Sequence, residues 1–463
     1  MRKNDVVTLE IEEINNLGCG VGHLAVPDGS RGLVVFVQGA VTGDTVEARI
    51  IKVNKSYLVG RIERILKPSP YRYNGEDCGA RGCGGCIYRH VQYEHELEIK
   101  REYVRSAFRK AGLADVEIEA VRTTNALTAY RNKAQYPVQN GKNGMEYGFF
   151  AGSTHRIVPV SKCLLQPAIF TEIADFVCRF CDENGITAYN EETGSGFLRH
   201  IYLRQGQATG EIMLCLVANG KSFSAEEAFA SSVIARFPEI KSIYLNTNTK
   251  STNVVLGDQY RRLAGKSEIE DVLCGLRFAI APAAFYQVNH DACELLYGIA
   301  KEKAGLTGGE ILLDLYCGIG TIGLSMADRA GEIVGIEIVE AAVKCARENA
   351  ARNGVENAYF YCGDASDAKG LLANAERLHG SVEGATVIMD PPRKGSTPEL
   401  IEYLAARNFQ KIVYVSCNPD TLARDCVLFR HLGYEIGAVT PVDMFPRTGH
   451  VESVVCLKRQ IQQ

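Results

Sequence analysis

Two residues late in the chain, Cys417 and Glu452, have side chains that could act together as a nucleophile and a proton acceptor. Cys417 lies in S-C-N-P at 416–419, and Glu452 lies in G-H-V-E at 449–452. A uracil C5 is too weak a nucleophile to take a methyl group directly, but adding a thiolate at C6 makes an enolate whose C5 can. A base must then remove the C5 proton so that the thiol can leave. Alone, the cysteine is typical of a buried strand and the glutamate of a protein surface, so the hypothesis needs both.

The segment D-P-P-R-K-G at 390–395 narrows the target of that chemistry. Enzymes that methylate exocyclic amines follow Asp/Asn-Pro-Pro with an aromatic residue that stacks on the base. Arg393 stands there in this chain, and a guanidinium is suited to a phosphate or a base edge. Enzymes that make 5-methylcytosine in RNA have a cysteine after the first proline, where this chain has Pro392. The segment therefore favours uracil over cytosine.

A candidate donor site precedes these segments. L-D-L-Y-C-G-I-G-T at 313–321 reads as the end of a strand and the start of a helix, where glycines let the backbone approach a ligand. Glu337 ends the next strand, about 20 positions on, where an acidic residue can bind the ribose hydroxyls of an adenosine. The loop lacks the third glycine of dinucleotide sites, so it fits S-adenosylmethionine better. Asp364, after the third strand, could bind the adenine amine or simply cap a turn.

The residues from about 283 onward predict the scaffold that would hold these segments. The apolar runs ILLDLYC, EIVGIEI, AYFYC, TVIMD and KIVYVSC are separated by helical patterns such as AAVKCARENAARNG. Strands that alternate with helices indicate a parallel, doubly wound sheet of the α/β class. The chemistry-bearing residues follow these strands, so we expect them to meet at the carboxyl edge of the sheet.

The earlier residues predict two further domains. Residues 1–62 read as short strands with glycine turns, which is typical of a small β-barrel. A helix is predicted at 91–113, and residues 120–280 read as an α+β region with strands at HRIVPV, GEIMLCLVA, SIYLNTN and NVVLG. The predicted domains are therefore 1–62, 63–282 and 283–463, with the 91–113 helix as a candidate to pack on the last.

Charge and cysteine content restrict the class of protein further. The net charge of −4 excludes a uniformly basic nucleic-acid binder, but residues 98–162 hold 11 Lys/Arg against 6 Asp/Glu. That excess indicates either a phosphate-facing surface or a solvated helix face.

No apolar run is long enough to span a membrane and the N-terminus has no signal-peptide pattern, so we expect a cytoplasmic protein. Sixteen cysteines then argue against a disulfide scaffold, and the clustered Cys78, Cys83 and Cys86 need another role.

Five motifs occur in the order in which one known family carries them. They are F-Y-Q-V-N (285–289), D-L-Y-C-G-I-G-T (314–321), D-P-P-R-K-G (390–395), S-C-N-P (416–419) and G-H-V-E (449–452). The chain resembles the RNA uracil-5-methyltransferase family over essentially its whole length. Within that family it looks like the bacterial 23S ribosomal RNA branch, which carries a TRAM domain and an iron–sulfur cluster.

The resemblance implies roles for individual residues. Cys417 would be the nucleophile and Glu452 the proton acceptor, and residues 1–62 would form the TRAM barrel, an RNA-binding module of the OB type. The implied donor-binding residues are Gln287, Tyr316, Glu337 and Asp390, with Thr321 as a further contact. The segment Y-R-N-K at 130–133 would lie near RNA. The implied fold is a Rossmann-like class I methyltransferase domain behind the barrel and an α+β central domain.

The resemblance also implies a metal centre. Its ligands would be Cys78, Cys83, Cys86 and Cys163, and four thiolates suit a [4Fe–4S] cluster. From the residues alone, a structural zinc site is the rival, because zinc also takes four cysteines. The C-x4-C-x2-C spacing differs from that of radical enzymes, so a structural role is expected.

The expected activity is methyl transfer from S-adenosylmethionine to C5 of a uridine in 23S ribosomal RNA, by a monomer that binds neither DNA nor membranes. The uridine must be extruded from folded RNA, at a cost of roughly a few kcal/mol. Two alternatives stay open: methylation of a transfer RNA T-loop, and a non-catalytic iron–sulfur RNA-binding factor. The presence of barrel and cysteines argues against the first, and the pair Cys417 and Glu452 argues against the second.

Overall fold

The structure is a computed structural model that describes residues 1–26, 31–363, 370, 376, 382, 384–407 and 409–460. No helix within these residues is both long and apolar enough to cross a membrane. Three large sheets follow one another along the chain, and the last of them alternates with helices. The predicted α/β fold class is confirmed.

The N-terminal region is a sheet of short strands. Its strands are β1 (Val6–Glu10), β2 (Glu13–Ile14), β3 (Cys19–Ala25), β4 (Arg31–Gln38), β5 (Thr45–Val53) and β6 (Tyr57–Lys67). They pair in the order β1-β5-β6-β4-β3-β2, and alternate residues such as Leu9, Val35 and Val46 fill a core between them. Glu12 lies between β1 and β2, and its N–H donates to the Val21 carbonyl of β3 at 2.8 Å, which extends the pairing of β2 with β3.

Helix α1 (Tyr93–Lys110) lies within the predicted 91–113 segment but belongs by packing to the C-terminal domain. Its buried face of Val104, Ala107 and Phe108 shares a hydrophobic core with the strands and helices of that domain. The chain therefore contributes to the C-terminal domain long before residue 283.

The central region is built on a mixed sheet. Its elements are β7 (Lys133–Gly141), β8 (Gly144–Phe150), β9 (Ile157–Pro159), α2 (Ala168–Glu183), β10 (Leu198–Gln205), β11 (Ile212–Ala218), α3 (Glu226–Arg236), β12 (Ile240–Thr247) and β13 (Gln259–Gly265). The strand order is β13-β12-β11-β10-β7-β8-β9. A hairpin of β14 (Ile269–Leu273) and β15 (Leu276–Ile280) follows, and its buried residues pack into the core of the C-terminal domain.

The strand predicted at NVVLG (253–257) is wrong, because this segment is a loop. Side chains take over its backbone hydrogen bonds. The Asn248 amide donates to the Val254 carbonyl at 2.7 Å, and the Asn246 amide donates to the Gly257 carbonyl at 2.8 Å. Buried asparagines that bond to loop backbone offer an alternative to a strand ladder.

The C-terminal domain is the doubly wound sheet. Its elements are α4 (His290–Ala304), β16 (Ile311–Leu315), α5 (Thr321–Leu324), β17 (Glu332–Glu337), α6 (Glu340–Arg352), β18 (Ala358–Cys362), β19 (Thr386–Met389), α7 (Pro398–Ala406), β20 (Lys411–Ser416), α8 (Pro419–His431), β21 (Tyr434–Ile436), β22 (Thr440–Val442) and β23 (Glu452–Arg459). The order is β18-β17-β16-β19-β20-β23-β21, with β22 also paired to β23. β16 to β20 run parallel, whereas β23 is antiparallel to β20. The carboxyl ends of the parallel strands therefore form one edge.

Candidate active site

The loop after β16 turns sharply at the carboxyl edge of the sheet. Tyr316, Gly318 and Gly320 all have positive φ, of 68°, 56° and 82°. A side chain disfavours this conformation, so glycine is expected at two of the positions, and Tyr316 is an exception of the kind that clusters at functional sites. The Cys317 N–H donates to the Ile336 carbonyl at 3.0 Å, which ties the loop to β17.

Glu337, the last residue of β17, is held by the backbone on both sides. Its carboxylate accepts from the Gly318 N–H at 3.1 Å and from the Val339 N–H at 2.9 Å. These bonds fix an acidic group across the loop that carries Tyr316, where a bound adenosine would present its ribose. Asp364, the other acidic residue predicted near the adenosine, lies outside the described residues.

The remaining donor-site predictions fall on segments fixed by neighbouring elements. The Thr321 hydroxyl lies 2.9 Å from the Tyr297 hydroxyl of α4. Gln287 precedes α4, and its carbonyl accepts from the Asn132 side-chain amide at 3.0 Å. The Asn132 N–H also donates to the Val288 carbonyl at 2.8 Å. The central domain thus holds the segment that carries Gln287.

Cys417 and Glu452 come together through strand register. β20 and β23 are antiparallel, with Ser416 opposite Ser453. Continuing this register by one residue places Cys417 opposite Glu452, and opposite side chains in such a ladder project from the same face at about 4.5–5.5 Å between Cβ atoms. Asp390 follows β19, the neighbour of β20 on its other side. Asp390, Cys417 and Glu452, whose side chains can all carry a proton, therefore lie at adjoining ends of three neighbouring strands.

Burial raises the pKa of all three groups and so favours their protonated forms. It raises the pKa of Glu452 to about 8, with a further contribution from Asp390, and raises the pKa of Asp390 itself to about 7. The pKa of the Cys417 thiol is raised to about 11 by burial and by the charges of Glu452 and Asp390, against a lowering contribution from Arg393. A cation placed among the three would favour their charged forms.

Arg393 is the nearest cation to this group that the structure describes in the 390–395 segment. Its carbonyl accepts from the Asn418 amide at 3.0 Å and the Thr421 hydroxyl at 3.3 Å, so the helix after Cys417 fixes the segment. Its guanidinium lies 3.4 Å from His450 Nε2. Burial and then the charge of Arg393 lower the pKa of His450, so the imidazole is neutral and accepts this bond. Sequence reasoning assigned His450 no role, although it lies inside G-H-V-E.

The loop that leads to Glu452 is anchored by buried charges on α1. Lys100 Nζ lies 2.7 Å from Asp443 Oδ1 and 2.8 Å from Glu96 Oε1, and all three side chains are at most 1% exposed. The Arg447 N–H donates to Glu96 at 2.7 Å while Arg447 holds a φ of 71°. A Glu–Lys pair four residues apart on a helix usually indicates a solvated face, so no sequence pattern predicts this anchor.

One cavity of about 900 Å³ connects this site to the other domains. Cys417, Arg393 and His450 line one side of it, and six Lys/Arg against three Asp/Glu line the whole. The basic residues are Arg89, Arg131, Lys133, Lys162, Arg393 and Arg447. Two of them belong to the Y-R-N-K segment, and three fall within the 98–162 excess. The cavity therefore offers a thiol at the base of a cationic groove.

The four clustered cysteines line the same cavity: Cys78, Cys83, Cys86 and Cys163. Burial raises the pKa of Cys86 to about 12, and Cys163, Cys83 and Cys78 raise it further in that order. Among the described residues, the one group of three or more metal-ligating atoms lying within 4.8 Å of one another is Glu268, Cys345 and Glu348. The four sulfurs do not form such a group.

The fold combines an N-terminal sheet domain with a doubly wound α/β domain whose loops at the carboxyl edge carry the candidate site. A family model described as tRNA (Uracil-5-)-methyltransferase matches residues 224–460, and a TRAM domain model matches residues 2–62. An RNA methyltransferase of Bacillus cereus is 39% identical over 99% of this chain and 98% of its own length. One of Clostridium acetobutylicum is 37% identical over 99% of this chain and 98% of its own.

A solved structure matches nearly the whole chain. The tRNA (uracil-54, C5)-methyltransferase of Pyrococcus abyssi, in complex with S-adenosyl-L-homocysteine, is 28% identical and covers 97% of this chain and 100% of its own, with a TM-score of 0.76. The chain belongs to the RNA uracil-5-methyltransferase family and carries a TRAM domain. It is an S-adenosylmethionine-dependent RNA methyltransferase, so the non-catalytic alternative falls away.

Proposed function

We propose that the protein methylates C5 of uridine in 23S ribosomal RNA through a covalent intermediate on Cys417. The observation that carries this proposal is the strand register that sets Cys417 opposite Glu452, with Asp390 at the end of the next strand. A thiol and a carboxyl group on facing positions can work on opposite ends of one pyrimidine double bond, the C5=C6 bond.

The proposed reaction runs in three steps. The Cys417 thiolate adds to C6 of the uracil, which moves the electron pair to C5 as an enolate. C5 then takes the methyl group from the sulfonium, and S-adenosylhomocysteine leaves. The Glu452 carboxylate removes the C5 proton, the C5=C6 bond re-forms, and the Cys417 sulfur departs as a thiolate. A pKa of about 8 gives Glu452 a basicity matched to this task near neutral pH.

Five residues are proposed to bind the methyl donor: Gln287, Tyr316, Thr321, Glu337 and Asp390. The backbone bonds to Glu337 support its role, because they orient the carboxylate without using up all of its lone pairs. Asp390 sits beside Cys417 and Glu452, where the sulfonium must come. A cationic donor at that point favours the charged forms of all three groups and so assists thiolate formation.

Cys78, Cys83, Cys86 and Cys163 are proposed to hold a [4Fe–4S] cluster. Four cysteine thiols that line one cavity match the four-thiolate ligand set of such a cluster. Its contribution would be structural, because it would tie residues 78–86 to the segment at Cys163. Brown colour with visible charge-transfer absorbance after anaerobic purification would support it, whereas a colourless protein with one zinc would overturn it.

A second candidate target is uridine in the T-loop of transfer RNA. The Pyrococcus enzyme, which is named for tRNA uracil-54, covers 97% of this chain. The presence of the N-terminal and central regions therefore does not distinguish an enzyme that acts on transfer RNA from one that acts on ribosomal RNA, contrary to the expectation from the sequence. The four cysteines and the resemblance to the ribosomal branch favour 23S ribosomal RNA.

A parallel assay decides between the targets. Purified protein and labelled S-adenosylmethionine would be incubated with unmodified 23S ribosomal RNA and unmodified transfer RNA, and 5-methyluridine would be mapped in each. The proposal predicts the product in 23S ribosomal RNA and none in transfer RNA. Product confined to the T-loop would overturn the ribosomal target while keeping the chemistry. Methyl groups at another atom would overturn the chemistry.

A further inference from the structure

The turn at residues 15–18 joins β2 to β3 of the TRAM domain, and its tip reaches the Cys417 cavity. Asn16 and Leu17 both line the cavity, far in sequence from every other lining residue. No sequence motif marks this turn as functional. It is therefore a part of the TRAM domain that the tertiary structure alone brings to the active site.

The turn is rigid at its base. The Asn15 side-chain oxygen accepts from the N–H groups of Leu17 and Cys19, each at 3.0 Å. The Tyr88 hydroxyl donates to the Asn15 carbonyl, also at 3.0 Å. A side chain that bonds to the backbone two residues on holds a tight turn without help from the rest of the sheet.

The tip of the turn packs against the loop that leads to Glu452 (residues 443–451, called the catalytic loop below). A Cβ added at Gly449 would collide with the carbonyl oxygen of Asn16, so the two backbones touch directly there. A Cβ added at Gly18 would lie 2.8 Å from Cβ of Ile87, the residue after Cys86. The turn thus lies between the loop that carries Glu452 and the segment that carries the cysteines.

Leu17 itself points away from these contacts. Its side chain is 71% exposed, and among the large hydrophobic residues that the structure describes only Phe285 is as exposed. Phe285 lies two residues before Gln287. The two largest apolar exposures of the described chain thus occur beside the Cys417 cavity and beside the segment that carries Gln287, and a ligand that covers either side chain removes apolar surface from water, which is favourable.

We propose that Leu17 packs against an unstacked base of the RNA that neighbours the extruded uridine. The inference rests on the proposed RNA methylation. The cations around the cavity suit phosphates, and the apolar groups that an RNA can bring into a cationic groove are the faces of its bases. Extruding a uridine uncovers the faces of the bases that stacked on it, and apolar side chains commonly fill such gaps.

Leu17→Ala tests this contact, with Leu33→Ala as the matched control. Leu33 is a 41% exposed leucine on β4 of the same domain and does not line the cavity. Affinity for a 23S ribosomal RNA transcript and for a transfer RNA transcript would be measured with S-adenosylhomocysteine present. We expect Leu17→Ala to weaken binding of whichever RNA the protein methylates, measured in its unmodified form, about tenfold. Leu33→Ala should stay within about twofold, and both variants should keep the wild-type melting temperature and affinity for S-adenosylhomocysteine.

A crosslink identifies what covers the side chain. Photo-leucine would be placed at position 17, and the crosslinked nucleotide would be mapped by reverse-transcription stops on the RNA that the protein methylates. A crosslink within about three nucleotides of the methylated uridine supports the proposal. Equal RNA affinities for the two alanine variants, or crosslinks only to distant nucleotides or to protein, would overturn it while methylation continues. Wild-type protein that methylates neither RNA would instead overturn the proposed function, and this inference with it.

Discussion

The proposed donor side and the proposed RNA side of the active site are built in different ways. On the proposed donor side, Tyr316 and Glu337 lie within 22 residues of one another, and backbone N–H groups of the same βαβ unit orient the Glu337 carboxylate. On the RNA side, one cavity is lined by the TRAM turn, the cysteine segment, the Y-R-N-K segment and the catalytic loop. The difference indicates that the donor site is a property of one local fold, whereas the RNA site exists only when all regions are assembled.

Cys417 lies where the two sides meet and should give the largest effect. Cys417→Ala should reduce methylation at least about 10³-fold, because no other described thiol faces Glu452 in register. Affinity for S-adenosylhomocysteine and for RNA should stay near the wild-type values. Cys345→Ala, a partly buried cysteine that does not line the cavity, is the control and should be fully active. A Cys417→Ala protein that still makes 5-methyluridine would exclude the covalent mechanism.

The pH dependence of the methylation rate should report the ionisation of Cys417 and Glu452. Both pKa values are raised, to about 11 for Cys417 and about 8 for Glu452, so both groups are mainly protonated at pH 6. Their reactive forms are the deprotonated ones, and one of the two deprotonations limits each step, so single-turnover rates should rise with pH by up to about tenfold per unit between pH 6 and 8. In Glu452→Gln the covalent RNA adduct should accumulate on denaturing gels because proton removal fails. A flat rate profile would contradict the assignment of these two groups.

Glu337→Gln should damage the donor side alone. Replacing a carboxylate that is held for charged hydrogen bonds should weaken binding of S-adenosylmethionine about 10- to 100-fold. Calorimetry with S-adenosylhomocysteine measures this directly, and RNA affinity without donor should not change. Glu356→Gln, an exposed carboxylate on the same domain, serves as the control. Equal losses of donor and RNA affinity would show that the two sides are not separable.

Asn132 joins the two sides and should give the smallest effect. It lies between the cavity-lining Arg131 and Lys133 and bonds to the segment that carries Gln287. Asn132→Ala should weaken donor binding about two- to tenfold, and more so with RNA bound than without it. Asn248→Ala removes a comparably buried amide of the same domain that bonds to a remote loop, so it should leave donor binding unchanged. If Asn132→Ala and Asn248→Ala bind the donor with identical affinity, Asn132 does not couple the RNA-side cavity to the donor-binding segment.

The sequence predicted those parts of the site that lie within continuous segments of the chain. The β16 loop with Tyr316 and the strand end at Glu337 follow from apolar runs, glycines and spacing. The strand at NVVLG was predicted by the same logic and is wrong, because Asn246 and Asn248 satisfy its backbone from outside the segment. Asp364 was predicted on spacing too and remains a prediction.

The sequence by itself determined the fold class, the order of the regions and the family, because periodicity and motifs are local properties of the chain. Tertiary structure alone decided that β23 returns antiparallel beside β20 and so sets Glu452 opposite Cys417, 35 positions away. It also decided that Leu17 and four distant cysteines share a cavity with that thiol. These arrangements depend on strand register and domain packing between residues hundreds of positions apart, and no local pattern encodes such distances.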